Sequence, residues 1–235
     1  MKRTSLAALI GLSLTAASAS AATLTSGHVD AIGLGYEGGE LDPHSHVEGG
    51  VVDGVFLDDQ EYALGELIIQ ISATTTRAAG TEWNPIGVAS GESYFIAPEV
   101  QVGGQPFVGV GLEELVASEW TGPISITLTA ASGSGITNGG KFSLWQDDIV
   151  PTFFMSTLGG IDASDVISVP AGDHVHYNWG FTKEGTYDLE FEISGTHVDD
   201  GVKTATATYS FSVIPEPSAA LLGAIGALGL LRRRR

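Results

Sequence analysis

Six histidines occur in this 235-residue chain, which has no cysteine. Five of them fall into three small groups: His28, the pair His44 and His46, and the pair His174 and His176. Neutral imidazole is the commonest protein ligand for transition metals. In a strand, residues i and i+2 point to the same side, so each His-X-His element can offer two nitrogens to one ion. Zinc takes such nitrogens at about 2.0–2.1 Å in tetrahedral geometry. Two pairs brought together by the fold complete a four-nitrogen site, which makes His44, His46, His174 and His176 the expected ligands and Zn2+ the expected ion. His28 competes for one of those positions. Asp30, two residues further on, either ligates directly or receives the second N–H of a ligating ring, which fixes its tautomer and orientation.

The flanking residues support this assignment. Val175, Tyr177, Trp179 and Phe181 alternate with His174, His176 and Asn178, so the apolar side of that segment faces a core and the histidines face away from it. His28 shares a side with Asp30, and His44 and His46 share one with Glu48. His197, in an acidic turn, is expected to be solvated. The doublets Asp58-Asp59, Asp147-Asp148 and Asp199-Asp200 lack the spacing of a calcium loop and read as turn residues, leaving Ca2+ only isolated contacts. There is no Gly-X-Ser-X-Gly elbow, no His-Glu-X-X-His helix and no phosphate-cradling glycine loop. No carboxylate among Glu37, Glu40 and Glu48 stands out as a general base. The chain is not expected to be an enzyme, with a zinc hydrolase as the remaining catalytic alternative. The His-X-His element at 44–46 also differs from the cupin pattern, since Glu48 comes too early and Pro170 lies too far away.

The elements that must position these residues are strands. Residues 124–129, 187–193 and 204–213 alternate apolar and polar with period two. The last two form a hairpin, with turn chemistry at Asp199-Asp200-Gly201. Shorter strands are expected at 29–34, 51–57, 64–72, 94–97, 140–146, 167–169 and 175–181. One short, weakly patterned segment, 112–118, reads as helical, and there is no internal repeat. About ten short strands with glycine-rich turns point to an all-β, antiparallel β-sandwich, Ig-like or jelly-roll-like.

The ends carry different information. Lys2 and Arg3 precede an apolar run from Leu6 to Ala16 and small-residue cleavage sites, so residues 1–21 read as a secretory signal peptide. At the other end, Pro215-Glu216-Pro217 precedes an apolar stretch of roughly 20 Å as a helix, short of the ~30 Å hydrocarbon core. Arg232, Arg233, Arg234 and Arg235 then stop it and favour the cytoplasmic side. Six of the ten Lys and Arg residues lie in these ends, and only Glu216 of the 28 acidic ones, so residues 22–213 carry a net charge of about −23. Such a surface repels nucleic acid and attracts cations. One domain of that length can bury a sizeable core.

Residues 214–235 resemble the PEP-CTERM sorting signal. That resemblance implies an exosortase-type sorting protease as a partner, after export by the Sec machinery and signal peptidase. It also implies export across the inner membrane of a Gram-negative bacterium, transient anchoring by the C-terminal helix, and a final place at the cell surface, in the extracellular matrix or in the periplasm. Residues 27–30 (GHVD), 44–46 (HSH), 141–145 (KFSLW), 171–182 (AGDHVHYNWGFT), 185–189 (GTYDL) and 205–213 together resemble the choice-of-anchor M domain. The resemblance implies an extracellular module tied to zinc acquisition under scarcity, with a metal ABC transporter as a further partner. It carries over the histidines at 28, 44, 46, 174 and 176 and no catalytic residue. The alternative from another class is a structural or adhesive protein of the extracellular polysaccharide matrix without a functional metal site.

Overall fold

The computed structural model describes residues 20–215. Most of the expected signal peptide therefore lies outside the described residues, as do Glu216, Pro217 and Arg232 to Arg235 of the expected sorting signal; Pro215 is the last residue described.

The chain is all-β. It begins with a long hairpin, β1 (Ala22–Glu37) and β2 (Glu40–Val52), turned at Gly38-Gly39. Two short strands, β3 (Val55–Leu57) and β4 (Gln60–Tyr62), fold back along β2. Next come β5 (Leu67–Ile71), β6 (Thr74–Thr76), β7 (Ser93–Ala97) and β8 (Pro106–Gly111). The strands β9 (Ile124–Ser132), β10 (Phe142–Asp147), β11 (Pro151–Ser156) and β12 (Val166–Val169) follow. The last four are β13 (His174–His176), β14 (Asn178–Phe181), β15 (Gly185–His197) and β16 (Gly201–Val213).

These strands form two packed sheets. The larger runs β12-β9-β15-β16-β5-β1-β2-β3, and the smaller β11-β10-β14-β7-β6. Most pairings are antiparallel, but β5 runs parallel to both β16 and β1, and β8 runs parallel to β1. Aromatic rings fill the space between the sheets. Trp179 and Phe181 of β14 lie 5.2 and 5.3 Å from Phe211 of β16, and Phe181 lies 4.9 Å from Tyr187. Each is fully buried, and burying one such side chain contributes about 2–3 kcal/mol. No helix among the described residues is long and apolar enough to cross a membrane.

Three local differences from the sequence reading shape the site. The large sheet forks along β1: residues Ala22 to Leu24 pair with β5, whereas Gly27 to Gly33 pair with β8. Gly27 sits at the fork with φ 93°, and a Cβ there would collide with Gly49 of β2. Second, 175–181 is not one strand. The chain leaves the large sheet after His176, passes through buried Tyr177 and enters the small sheet at Asn178. Asn178 is itself buried, and its Oδ1 accepts the Glu99 N–H. Third, 112–118 does not form the expected helix: it is a turn leading into one 3-10 turn at Ala117–Glu119, too short a segment to repay helix nucleation.

Candidate metal centre

The fork lays β2, β1, β8 and β13 side by side. Their register makes two rows across the four strands: His46, Asp30, Gly109 and His176 in one, and His44, Gly33, Gly111 and His174 in the other. His28 stands in the adjoining position, opposite Phe107 of β8. Alternation explains the common side, because the intervening Val29, Val47, Val108 and Val110 are fully buried on the opposite, core-facing side.

Three imidazoles and one carboxylate converge. His28 Nε2 and His174 Nε2 are 3.1 Å apart, and Asp30 Oδ1 lies 2.8 Å from His174 Nε2 and 3.7 Å from His28 Nε2. One nitrogen from each of His28, His174 and His176 lies within 4.8 Å of the others. Two nitrogens on a single tetrahedral zinc stand about 3.3 Å apart, so the spacing suits a shared ion. The other nitrogen of two rings is held by acid: His28 Nδ1 lies 3.2 Å from Glu48 Oε2, and His174 Nδ1 lies 2.8 Å from Glu113 Oε1. Such contacts fix the tautomer and turn each Nε2 toward the cluster. His176 is fixed by stacking on Phe107, with centroids 3.5 Å apart and planes within 6°.

Within this group several polar atoms lack a protein partner. Asp30 Oδ1 and His176 Nδ1 are buried without a hydrogen bond, as is His44 Nε2 outside the group; the short approach of His174 to Asp30 lacks hydrogen-bond geometry. Leaving a buried polar atom unsatisfied costs about 1–3 kcal/mol, and a cation would relieve that cost for a carboxylate and neutral imidazoles alike. The floor beneath these atoms carries no side chain. At Gly109 a Cβ would collide with Asp30 Oδ1 and stand 2.7 Å from His174 Nε2; at Gly111 it would stand 2.5 Å from Asp30 Oδ2.

The electrostatics favour lone pairs on the rings. Burial, reinforced by His174, pushes His176 down to about 4 and lowers His28 below its ordinary value. Burial pushes the Asp30 carboxyl up to about 7 despite the opposing pull of His174, with Glu113 and Glu48 adding to the rise. His46 moves the other way: burial alone would lower it, but its hydrogen bond to Asp59 and the charge of Glu48 raise it.

The site residues expected from sequence are therefore divided. His174 and His176 meet His28 and Asp30, so His28 is central to the cluster, and Asp30 meets it directly through Oδ1. His44 and His46 lie on the same side of the sheet but their nitrogens do not enter the three-imidazole cluster, because β2 and β13 are three strand spacings apart, roughly 14 Å. His46 Nε2 is 2.7 Å from Asp59 Oδ1, while His44 Nδ1 bonds the Asp42 carbonyl and its Nε2 lies 3.2 Å from Glu114 Oε1. Glu113, Glu114, Phe107 and Gly109 were not expected; the acidic pair stood in the segment read as helical, and 106–111 was not read as a strand. His197 is buried rather than solvated: it stacks on Tyr36 at 4.7 Å, and Nδ1 accepts the Asp200 N–H. In each acidic doublet one member is engaged by a side chain, Asp59 by His46, Asp147 by the Trp145 indole and Asp200 by the Tyr36 hydroxyl.

No family model matches the chain, and neither does any curated protein or solved structure.

Proposed function

We propose that this chain is an exported protein that captures zinc, serving metal acquisition when zinc is scarce. The observation that carries this reading is the convergence of His28, His174, His176 and Asp30 over a glycine floor, with buried donor atoms left unpartnered by protein. Three nitrogens and one oxygen suit a borderline ion such as zinc. Calcium, which takes six to eight oxygens, fits poorly. The acidic body raises the local concentration of cations around the cluster. The resemblance of the ends to a signal peptide and a PEP-CTERM signal, and of the body to the choice-of-anchor M domain, supports a place outside the inner membrane and delivery to a metal ABC transporter.

Elemental analysis of the purified protein and calorimetric titration with zinc test the reading. Stoichiometric zinc is expected, with His28→Ala and His176→Ala each weakening the tightest binding by about 100-fold or more. A protein that carries no zinc and gives no binding heat, but associates with polysaccharide, would instead be the matrix protein.

A further inference from the structure

The carboxylate of Asp30 faces two ways. Oδ1 points over Gly109 toward the three imidazoles, and Oδ2 lies over Gly111 beside Glu113 Oε2. On this second side the sheet carries a cleft of about 250 Å³, lined among others by Asp30, His44, Glu48, Glu113 and Glu114. His44 forms one wall. Its side chain is only 8% exposed, and its Nε2 has no hydrogen-bond partner although Glu114 Oε1 stands 3.2 Å away. The ring rests over Gly33, where a Cβ would come within 2.7 Å of Nε2. The buried His44 nitrogen, lining an acidic cleft with Glu114 beside it, lies outside the three-imidazole cluster and meets it only through Asp30.

We propose that this cleft holds a second divalent cation, taken by His44 Nε2, Glu114 and Asp30 Oδ2, with Asp30 bridging it to the ion held by the three histidines. The proposal rests on the reading of that cluster as a metal centre and extends it to two positions. Charge supports it: four carboxylates line the cleft and no Lys or Arg does. Paired ions sharing protein ligands stand about 3.5–4 Å apart in known two-metal sites, a separation that the two oxygens of one carboxylate can span. One nitrogen and two oxygens make a looser site than three imidazoles and a carboxylate. The outer position is thus the one where an ion arrives and leaves, and the inner one is where it is kept.

Native mass spectrometry and calorimetry with zinc chloride, applied to the purified protein, test this. Two zinc ions per chain are expected, the second bound more weakly. Glu114→Gln and, separately, His44→Ala should each leave one ion with the first affinity unchanged, and Asp30→Asn should weaken both steps. Glu114 is 45% exposed, so its substitution keeps the test decisive if the buried His44 variant fails to fold. A wild-type chain that takes up one zinc, indifferent to both substitutions, overturns the second position and leaves the first standing. Two ions with neither affected by Glu114→Gln or His44→Ala also overturns it. A wild-type chain that binds no zinc removes both readings together.

Discussion

The β15–β16 hairpin and the β1–β2 hairpin are similar in length, and only the second carries the donors. The β15–β16 ladder runs from Gly185 opposite Val213 to His197 opposite Gly201 without one shift in register. Its inward residues Tyr187, Leu189, Phe191 and Ile193 are all fully buried. The β1–β2 ladder shifts three times, between Leu24 and Ser26, Gly27 and Val29, and Asp30 and Gly33. Bulges give up pairing and re-aim side chains, and here they bracket His28 and Asp30. An even ladder maximises apolar burial; an uneven one turns polar groups toward a common point. The β1–β2 hairpin buries apolar residues as well, Leu24, Val29, Ile32 and Val47 among them, so what sets it apart is the polar side that its bulges present.

Four substitutions would break or sharpen that contrast. The largest effect is expected in the even hairpin: Phe191→Ala should cost about 3–5 kcal/mol in denaturant unfolding, with zinc affinity of the folded protein unchanged. If zinc binding fell with it, the two hairpins would not be separable. Next, Asp30→Asn should lower zinc affinity by about 100-fold while making the metal-free protein more stable at pH 8. The sign follows from the raised pKa. Because the folded Asp30 sits near 7, above its ordinary 3.8, its contribution to stability is fully present below about 4 and lost as pH rises through about 7; the amide has nothing to lose. In wild type, zinc must displace the Asp30 proton, so affinity should fall as pH drops below about 7, and the variant should lack that break. His176, held down to about 4, keeps its lone pair throughout this window. Calorimetry in buffers of different ionisation heat would count the released proton.

Gly109→Ala should come third, since its Cβ intrudes on Asp30 and His174. Overpacking there is expected to cost about 1–3 kcal/mol and to weaken zinc measurably, whereas alanine at solvent-facing Gly201, whose Cβ position meets nothing, should leave zinc untouched. The smallest effect belongs to Glu48→Gln. It loosens the hold on His28 Nδ1 without removing a nitrogen, and about a tenfold loss of zinc affinity with unchanged stoichiometry is expected.

Much of this was legible in the residues. The alternation at 187–193 and 204–213 showed the body of the even hairpin but not its turn end, where 194–197 still pair with 201–204, and the valine–histidine alternation at 174–176 separated the core-facing Val175 from the histidines beside it. The strand Pro106–Gly111 escaped because it has no polar partner to alternate with: Gly109 and Gly111 stand where polar side chains would otherwise mark the period. Without it, the spacing between β1 and β13 could not be placed, and the pairs at 44–46 and 174–176 looked as though they could share one ion. The change of sheet at Tyr177 was hidden because an apolar pattern continues unbroken from one sheet to the other. Register, set by long-range pairing and bulges, decides which imidazoles meet, and local sequence does not encode it.

The short strand bearing His174 and His176 hangs on its neighbour by three paired residues, while its nitrogens reach a strand whose His28 lies 146 residues earlier. An ion gripped there would act as a clasp between two strands far apart along a polypeptide that has no cysteine to form a disulfide. At a free concentration 100 times its dissociation constant it would add about 2.7 kcal/mol to the folded state. Cargo and durability would then rise and fall together.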